Sequence, residues 1–353
     1  MLNMGLLKRY LVPIILIIVV VVGYILFQKN NKAEKIQIAT VGNYTAGYYK
    51  GNFVWGAAMN FAWSDLCENI IKDTIQLSVY DSISRSMIHQ LNNPQVTTND
   101  LDKESYYVKS GYGQKTVDAI NTETAKRFPG KSFSALSESL TDNDIIAYAY
   151  LLKEVSYLQK FSSAETLFKE QKVSGFSASS DKEKEIVKVL QYINDDKFII
   201  SLGLKDEADQ LLLAKGYNMI DPATVIEIIN ETNNENLYSI TSDDNFEAPK
   251  LNLEYSRKYD AIIGKPFANK GFKNYAVKQM FENIKFKMDE VGARVENEAE
   301  IVTYDTVRNM NVHPIPKYFV LNKPFWLVMQ RKGSKHPYFL LGVNNDELME
   351  RIR

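Results

Sequence analysis

Apolar residues fall into three patterns along this chain, and each predicts a different element. The first is an unbroken run: residues 11–27 read LVPIILIIVVVVGYILF without a charge, between Lys8 and Arg9 on one side and Lys29, Lys32 and Lys35 on the other. A helix needs about 20 apolar residues to cross the hydrocarbon core, and this run, with Tyr10 and Tyr24 near its ends, meets the low end of that range. The following FQKNNKAEK offers no small-residue cleavage site, so the run reads as an uncleaved single-pass anchor rather than a signal peptide. Residues 1–10 then form a short tail that Lys8 and Arg9 keep in the cytoplasm, which leaves the remainder extracytoplasmic. Residues 28–51 are polar and read as a flexible tether, with some extended structure over 36–41. Residues 52–353 form the soluble domain.

The second pattern recurs every three to four residues. Phe53, Ala57, Phe61 and Leu66, with Trp55, Met59 and Trp63 beside them, predict a buried amphipathic helix over 52–72. Further helices are expected over 82–91, ending before Pro94, and over 116–127 and 223–230, with a polar loop over 95–105. The third pattern is short alternating or continuous apolar stretches, which predict strands over 185–192, 197–202, 246–255, 283–288, 318–321, 325–330 and 338–343, with another short apolar piece over 208–213 before Gly216. The last two are joined by a hairpin turn around Gly333. DIIAYAYLLKEVSYL, over 144–158, fits a buried strand or a helix by periodicity alone. Helices early and strands late argue an α+β domain with antiparallel sheets.

Composition removes several function classes. Lys plus Arg (42) balance Asp plus Glu (43), so the charge footprint of a nucleic-acid binder is missing. Cys67 is the only cysteine, which excludes an internal disulfide and a multi-cysteine zinc site. His89, His313 and His336 lack metal-pair spacing, no metal or cofactor is expected, and no nucleophile–base pair converges, so an enzyme is the least favoured class. GYGQKT, over 111–116, has the wrong spacing for a phosphate loop because Gln114 separates Gly113 from Lys115. With no apolar strand expected before it, it reads as the loop leading into the 116–127 helix.

Three stretches of the second half fall in an order and spacing similar to serpins. FEAPKLNLEYSRKYDAIIGKPFANKGF, over 246–272, resembles the family's "PKF-x-L-E" strand followed by a short helix ending in a Gly-containing turn. IKFKMDEVGARVENEAE, over 284–300, resembles the "EVDEEGTEAA" strand and hinge that lead into the reactive loop. NKPFWLVMQRKGSKHPYFLLGVNN, over 322–345, resembles the closing hairpin, with Lys323 in place of the motif's His. Weaker likenesses lie upstream: VLQYINDDKFIISLGLKDEADQLLLAKGY, and AYAYLLKEVSYLQKF against the "N-A-I-Y-F-K-G-x-W" region, whose Asn and Trp are absent. That last likeness makes 144–152 a strand.

The resemblance implies a fold in which a protease cuts an exposed loop that then inserts as a new strand. Insertion demands small or apolar side chains at alternate positions. Gly292, Ala293, Val295, Asn297 and Ala299, continuing to Ile301 and Thr303, form the set to be buried, while Arg294, Glu296, Glu298 and Glu300 stay solvated. Val295 to Glu298 are bulkier and more charged than the alanine run of inhibitory members, which should slow insertion. The scissile bond, counted by analogy, falls within 303–310, among Thr306, Val307, Arg308 and Asn309, with Arg308 suited to a trypsin-like pocket. The implied partner is a protease, probed by a membrane-anchored inhibitor of serine-type endopeptidases. The alternative is a non-inhibitory, surface-tethered binding or assembly module.

Overall fold

The computed structural model describes residues 41–46, 51–130, 141–232, 237–293 and 315–352. These fall within one compact unit, Ile38–Arg353. The 11–27 run lies outside the described residues, and among those that are described no helix is long and apolar enough to cross a membrane.

The front end departs from one long helix. Phe53–Gly56 form strand β1, and only then does helix α1 run over Ala58–Asp65, continuing as a π-helical turn over Leu66–Ile71. Tertiary pairing overrides the helical period at Phe53 and Trp55, because β1 adds to the edge of a large sheet. Helix α2 spans Ser82–Asn92 and is capped by Asp81, whose side chain accepts from Ser84 N at 2.7 Å. Residues 41–44, at the end of the stretch read as tether, are instead buried. Asn60 Nδ2 donates to Gly42 O, and Tyr44 stacks edge-on against Trp55 with its hydroxyl 2.9 Å from His336 Nδ1.

Strand β2 (Tyr106–Tyr112) runs directly into helix α3 (Gly113–Arg127), which corrects the expectation that no strand precedes GYGQKT. Gly113 sits at φ +63, and Asp142 and Thr141 crowd its open side, so the turn is filled by the chain itself. The ambiguous run resolves as β3 (Ile145–Leu151), followed by the short β4 (Val155–Ser156). Two strands that periodicity missed come next, β5 (Ser162–Phe168) and β6 (Gln171–Ser177), and then helix α4 (Asp181–Glu185). Strands β7 (Val187–Asn194), β8 (Lys197–Leu202) and β9 (Asp209–Lys215) form a meander, and helix α5 covers Pro222–Glu231. The remainder is strand-rich: β10 (Tyr238–Ser239), β11 (Asn245–Pro249), β12 (Leu251–Lys258), β13 (Phe281–Met288), β14 (Gly292–Ala293), β15 (Tyr318–Val320), β16 (Phe325–Arg331) and β17 (Pro337–Val343). Strands therefore begin at residue 53 rather than gathering late.

The seven-stranded sheet has the order β1-β17-β16-β9-β8-β7-β10, and a four-stranded sheet has the order β15-β11-β6-β5. Both faces of the larger sheet are covered at its centre: β16 and β17 are buried at nearly every position, which explains their continuous apolar runs. Phe325 and Leu327 are fully buried as expected, and Trp326 packs so closely on Gly342 that a Cβ there would lie 2.7 Å from its ring. β12–β13 and β2–β3 are separate two-stranded ladders. Ile145 and Ala147 of β3 pack on the same cluster as Met280, beneath which lie Trp63, Leu66, Ile88 and Leu91 of the front helices. On the other face of β3, Tyr148 and Tyr150 pack with Ile120 and Phe128 of the α3 segment.

Candidate functional site

The site is assembled where β13 ends. A sheet-switching chain prepares it: Pro249 closes β11 against β6, and two residues later Leu251 opens β12 against Met288 of β13. Lys250, at the switch, reaches Glu290 at 2.6 Å and Ser163 Oγ at 2.9 Å, so it ties the end of β13 to β5. Burial raises the Glu290 carboxyl, yet the hydrogen bond and charge of Lys250 outweigh this and hold it below the usual range. Asp289 then turns the chain, its backbone N donating to Gly292 O at 3.0 Å and its side chain accepting from Val291 N at 3.0 Å.

After this turn Gly292 and Ala293 run back along β4, antiparallel, with Gly292 opposite Ser156 and Ala293 opposite Val155. Both are buried. A Cβ on Gly292 would collide with Val155 O and lie 2.8 Å from the Ser156 Cα, so the close approach of the two backbones requires glycine. Tyr157 N donates to Val291 O and Phe161 N to Glu290 O. Among the described residues, backbone hydrogen bonds between the β3–β4 segment and the β13–β14 segment lie at this end alone, and no ladder pairs β3 with β13. Tyr157, Phe161, Phe176 and Phe246 form an aromatic cluster that backs the junction.

The chain is described again from residue 315, and its return is anchored as firmly. β15 lies parallel to β11, with Phe319 opposite Phe246. Lys317 N donates to Asp244 at 2.8 Å and Tyr318 N to Asp195 at 3.1 Å, while the Lys317 ammonium lies over the rings of Tyr192 and Tyr238. Lys215, buried at the end of β9, donates to Val320 O, Asn322 Oδ1 and Asp195 O at 2.8–2.9 Å and pairs with Asp196 at 3.2 Å. Burial lowers its pKa despite those partners.

Of the residues singled out in the sequence, Gly292 and Ala293 are placed together in the β14–β4 ladder. Val295, Asn297, Ala299, Thr306, Val307, Arg308 and Asn309 lie outside the described residues. Sequence reasoning missed Lys250, Lys215 and Lys317, each an isolated lysine whose signal is only its position beside a strand end. It also missed the fully buried Arg257, opposite Glu282 in the β12–β13 register with Nε 2.9 Å from that carboxylate. Arg257 also donates to Val54 O of β1, and Tyr259 donates to Glu282, so the pair joins the ladder to the seven-stranded sheet.

No protein-family model matches the chain, and no curated protein matches it significantly. Solved structures do. Serpin48, described as a highly specific serpin in the insect Tenebrio molitor, aligns over 84% of this chain and 92% of its own at 12% identity, with a TM-score of 0.50. The thermophilic serpin tengpin, in its native state, aligns over 88% of this chain and 97% of its own at 11% identity, with a TM-score of 0.51. The chain has the serpin fold.

Proposed function

We propose that this chain is a membrane-anchored, serpin-like inhibitor of a serine-type endopeptidase that offers an exposed reactive loop near residues 303–310. The reading is of an inhibitor, not a catalyst. The observation that carries it is the β14–β4 ladder, which starts a strand beside β4 and fixes its register. Extended without a bulge, that register lays Val295 opposite Lys153, Asn297 opposite Leu151, Ala299 opposite Ala149, Ile301 opposite Ala147 and Thr303 opposite Ile145. Residues directly opposed in an antiparallel pair share a face. The alternating set therefore falls on the side where Ile145 and Ala147 already pack into the core. Glu296, Glu298 and Glu300 fall opposite Leu152, Tyr150 and Tyr148, on the half-buried face beneath α3. Desolvating three carboxylates there slows insertion, and a slow loop lets a protease complete hydrolysis.

The test is to incubate the full chain in detergent with a panel of serine proteases, trypsin-like ones included. An SDS-resistant adduct, with cleavage among Thr306, Val307, Arg308 and Asn309, is expected. Cleavage of the loop without an adduct by every protease sinks the inhibitor and leaves the surface binding module. The anchor at 11–27 rests on its apolar run and flanking charges. With the domain extracytoplasmic, protease added to intact cells degrades it, and protection until lysis reverses the orientation.

A further inference from the structure

Val79 and Ile83 stand 63% and 68% exposed, and among the described residues only Ile315 is a large apolar side chain turned further into water. They lie on the link into α2 and on its first turn. That link is zipped to the segment joining β12 to β13: Leu77 bridges Phe267, Ser78 N donates to Pro266 O and Ser78 Oγ to Phe267 O, and the Asn269 side chain holds Gln76 N and Thr74 O. Residues 258–280 carry five lysines and one acid, Asp260, in a chain whose net charge is −1. Lys265 pairs with Asp81 and Lys278 is engaged by other groups, which leaves Lys270 and Lys273 as exposed cations. Beside them lie the half-buried Phe272 and Tyr275, rings 5.6 Å apart, and on the α2 side the exposed Arg85 sits over the Tyr80 ring. Apolar side chains, half-buried rings and cations on one face match the surface of an anionic bilayer, where rings sit at headgroup level and lysines meet lipid phosphate.

The chain's own path adds to this charge match. Gly42 N donates to Gln90 Oε1, and Asn43 Nδ2 to the carbonyls of Gln90 and Asn93, so the chain joins the domain at the C-terminal end of α2, about 10–15 Å along the helix from Ile83. Residues 28–40, between the apolar run and this point, reach at most about 45 Å. We propose that Val79, Ile83, Lys270 and Lys273 form a docking face for the anionic lipid surface of the bilayer that holds the anchor. The face lies at the Lys258–Phe281 end of the β12–β13 ladder, whereas Gly292 and Ala293 follow its Met288 end, about 24 Å away at the usual strand rise. Docking turns the β14 end away from the membrane, towards proteins in solution. This rests on the anchor reading above, and not on the reactive loop or on inhibition.

The test reconstitutes the full chain into vesicles of phosphatidylcholine, with or without phosphatidylglycerol. An environment-sensitive fluorophore is placed on Ser82→Cys, exposed beside Ile83, in a Cys67→Ala background so that one thiol reacts. Emission about two-fold stronger with phosphatidylglycerol, and quenched there by brominated acyl chains, is expected. About 0.5 M salt should remove most of the rise by screening the lysines. K270Q/K273Q and Ile83→Ser, all at exposed positions, should each cut it by at least half. The same fluorophore on Ser163→Cys, exposed beside Lys250 at the β14 end, should show no rise. Equal emission at position 82 in both kinds of vesicle, from a chain that resists alkaline extraction, overturns the docking face and leaves the anchor standing. Equal rises at 82 and 163, or a rise untouched by K270Q/K273Q and Ile83→Ser, overturn the face as well. A chain that alkali strips from the vesicles overturns the anchor reading and the docking with it.

Discussion

Gly292 concentrates the demands of the β14–β4 contact in one atom that is missing. Because a Cβ there meets the β4 backbone, Gly292→Ala forces β14 off β4 at a cost of about 1–3 kcal/mol, the range for overpacking a tight contact. Lower Tm and faster amide exchange of the 155–157 segment are the expected readouts; unchanged exchange means the ladder is not held by this approach. Asp81 offers a test of the front end by pH. The hydrogen bond from Lys265, followed by that from Ser84 N, lowers its pKa to about 2. A carboxylate with a depressed folded-state pKa contributes stability above its unfolded value and loses it as the pH falls towards the folded one. The contribution of Asp81 should therefore fade from about pH 4 to pH 2, and Asp81→Asn should flatten that part of the acid limb of a Tm-against-pH curve while lowering Tm at neutral pH. An acid limb identical in both proteins places the acid sensitivity elsewhere.

Among elements, the β12–β13 ladder carries a charge pair where apolar packing would serve. Arg257 and Glu282 are both buried, and each is costly to leave alone. Arg257→Met is expected to cost about 3–5 kcal/mol, while Arg257→Met with Glu282→Leu returns most of it, as measured by urea denaturation. Two single losses that simply add would mean the residues act independently. How far such elements could be read from the chain varied with their chemistry. β8 matches its expected bounds, and the β16–β17 hairpin turns at Gly333, because continuous apolar runs and a glycine at φ +81 are direct signals. β5 and β6 escaped because most of their residues are small or polar, with Leu167, Phe168, Val173 and Phe176 too few to set a period, and their turn is Lys169-Glu170, both at positive φ with no Gly or Asn to mark it. The stretch 246–255 read as one strand, whereas Pro249 ends one sheet and the chain starts another. At the site, Gly292 and Ala293 were singled out by resemblance alone. β4, two residues long, has no period to detect, and nothing in the sequence pairs it with Gly292.

For the whole molecule, β14 is a strand started against β4, with no ladder between β3 and β13 among the described residues. On the insertion reading, a cut among Thr306, Val307, Arg308 and Asn309 should let the chain after Gly292 extend that strand and raise Tm, since a paired strand replaces a loop. Ala293→Arg should abolish that gain, because the position is buried beside Val155 and offers an arginine no partner among the described residues. A nicked protein that melts where the intact one does argues for a binding module. Strand β9 links both ends of the arrangement: Asp209 at its start holds Lys153 beside β4, and Lys215 at its finish holds the chain after β15. Its length, about 20 Å at the usual strand rise, makes the spacing between these two supports a constant of the scaffold. On the bait-loop reading, an engineer can accordingly rewrite residues 303–310 for a new target while keeping the small and apolar alternation that runs from Gly292 to Thr303, since both supports lie outside the exchanged stretch.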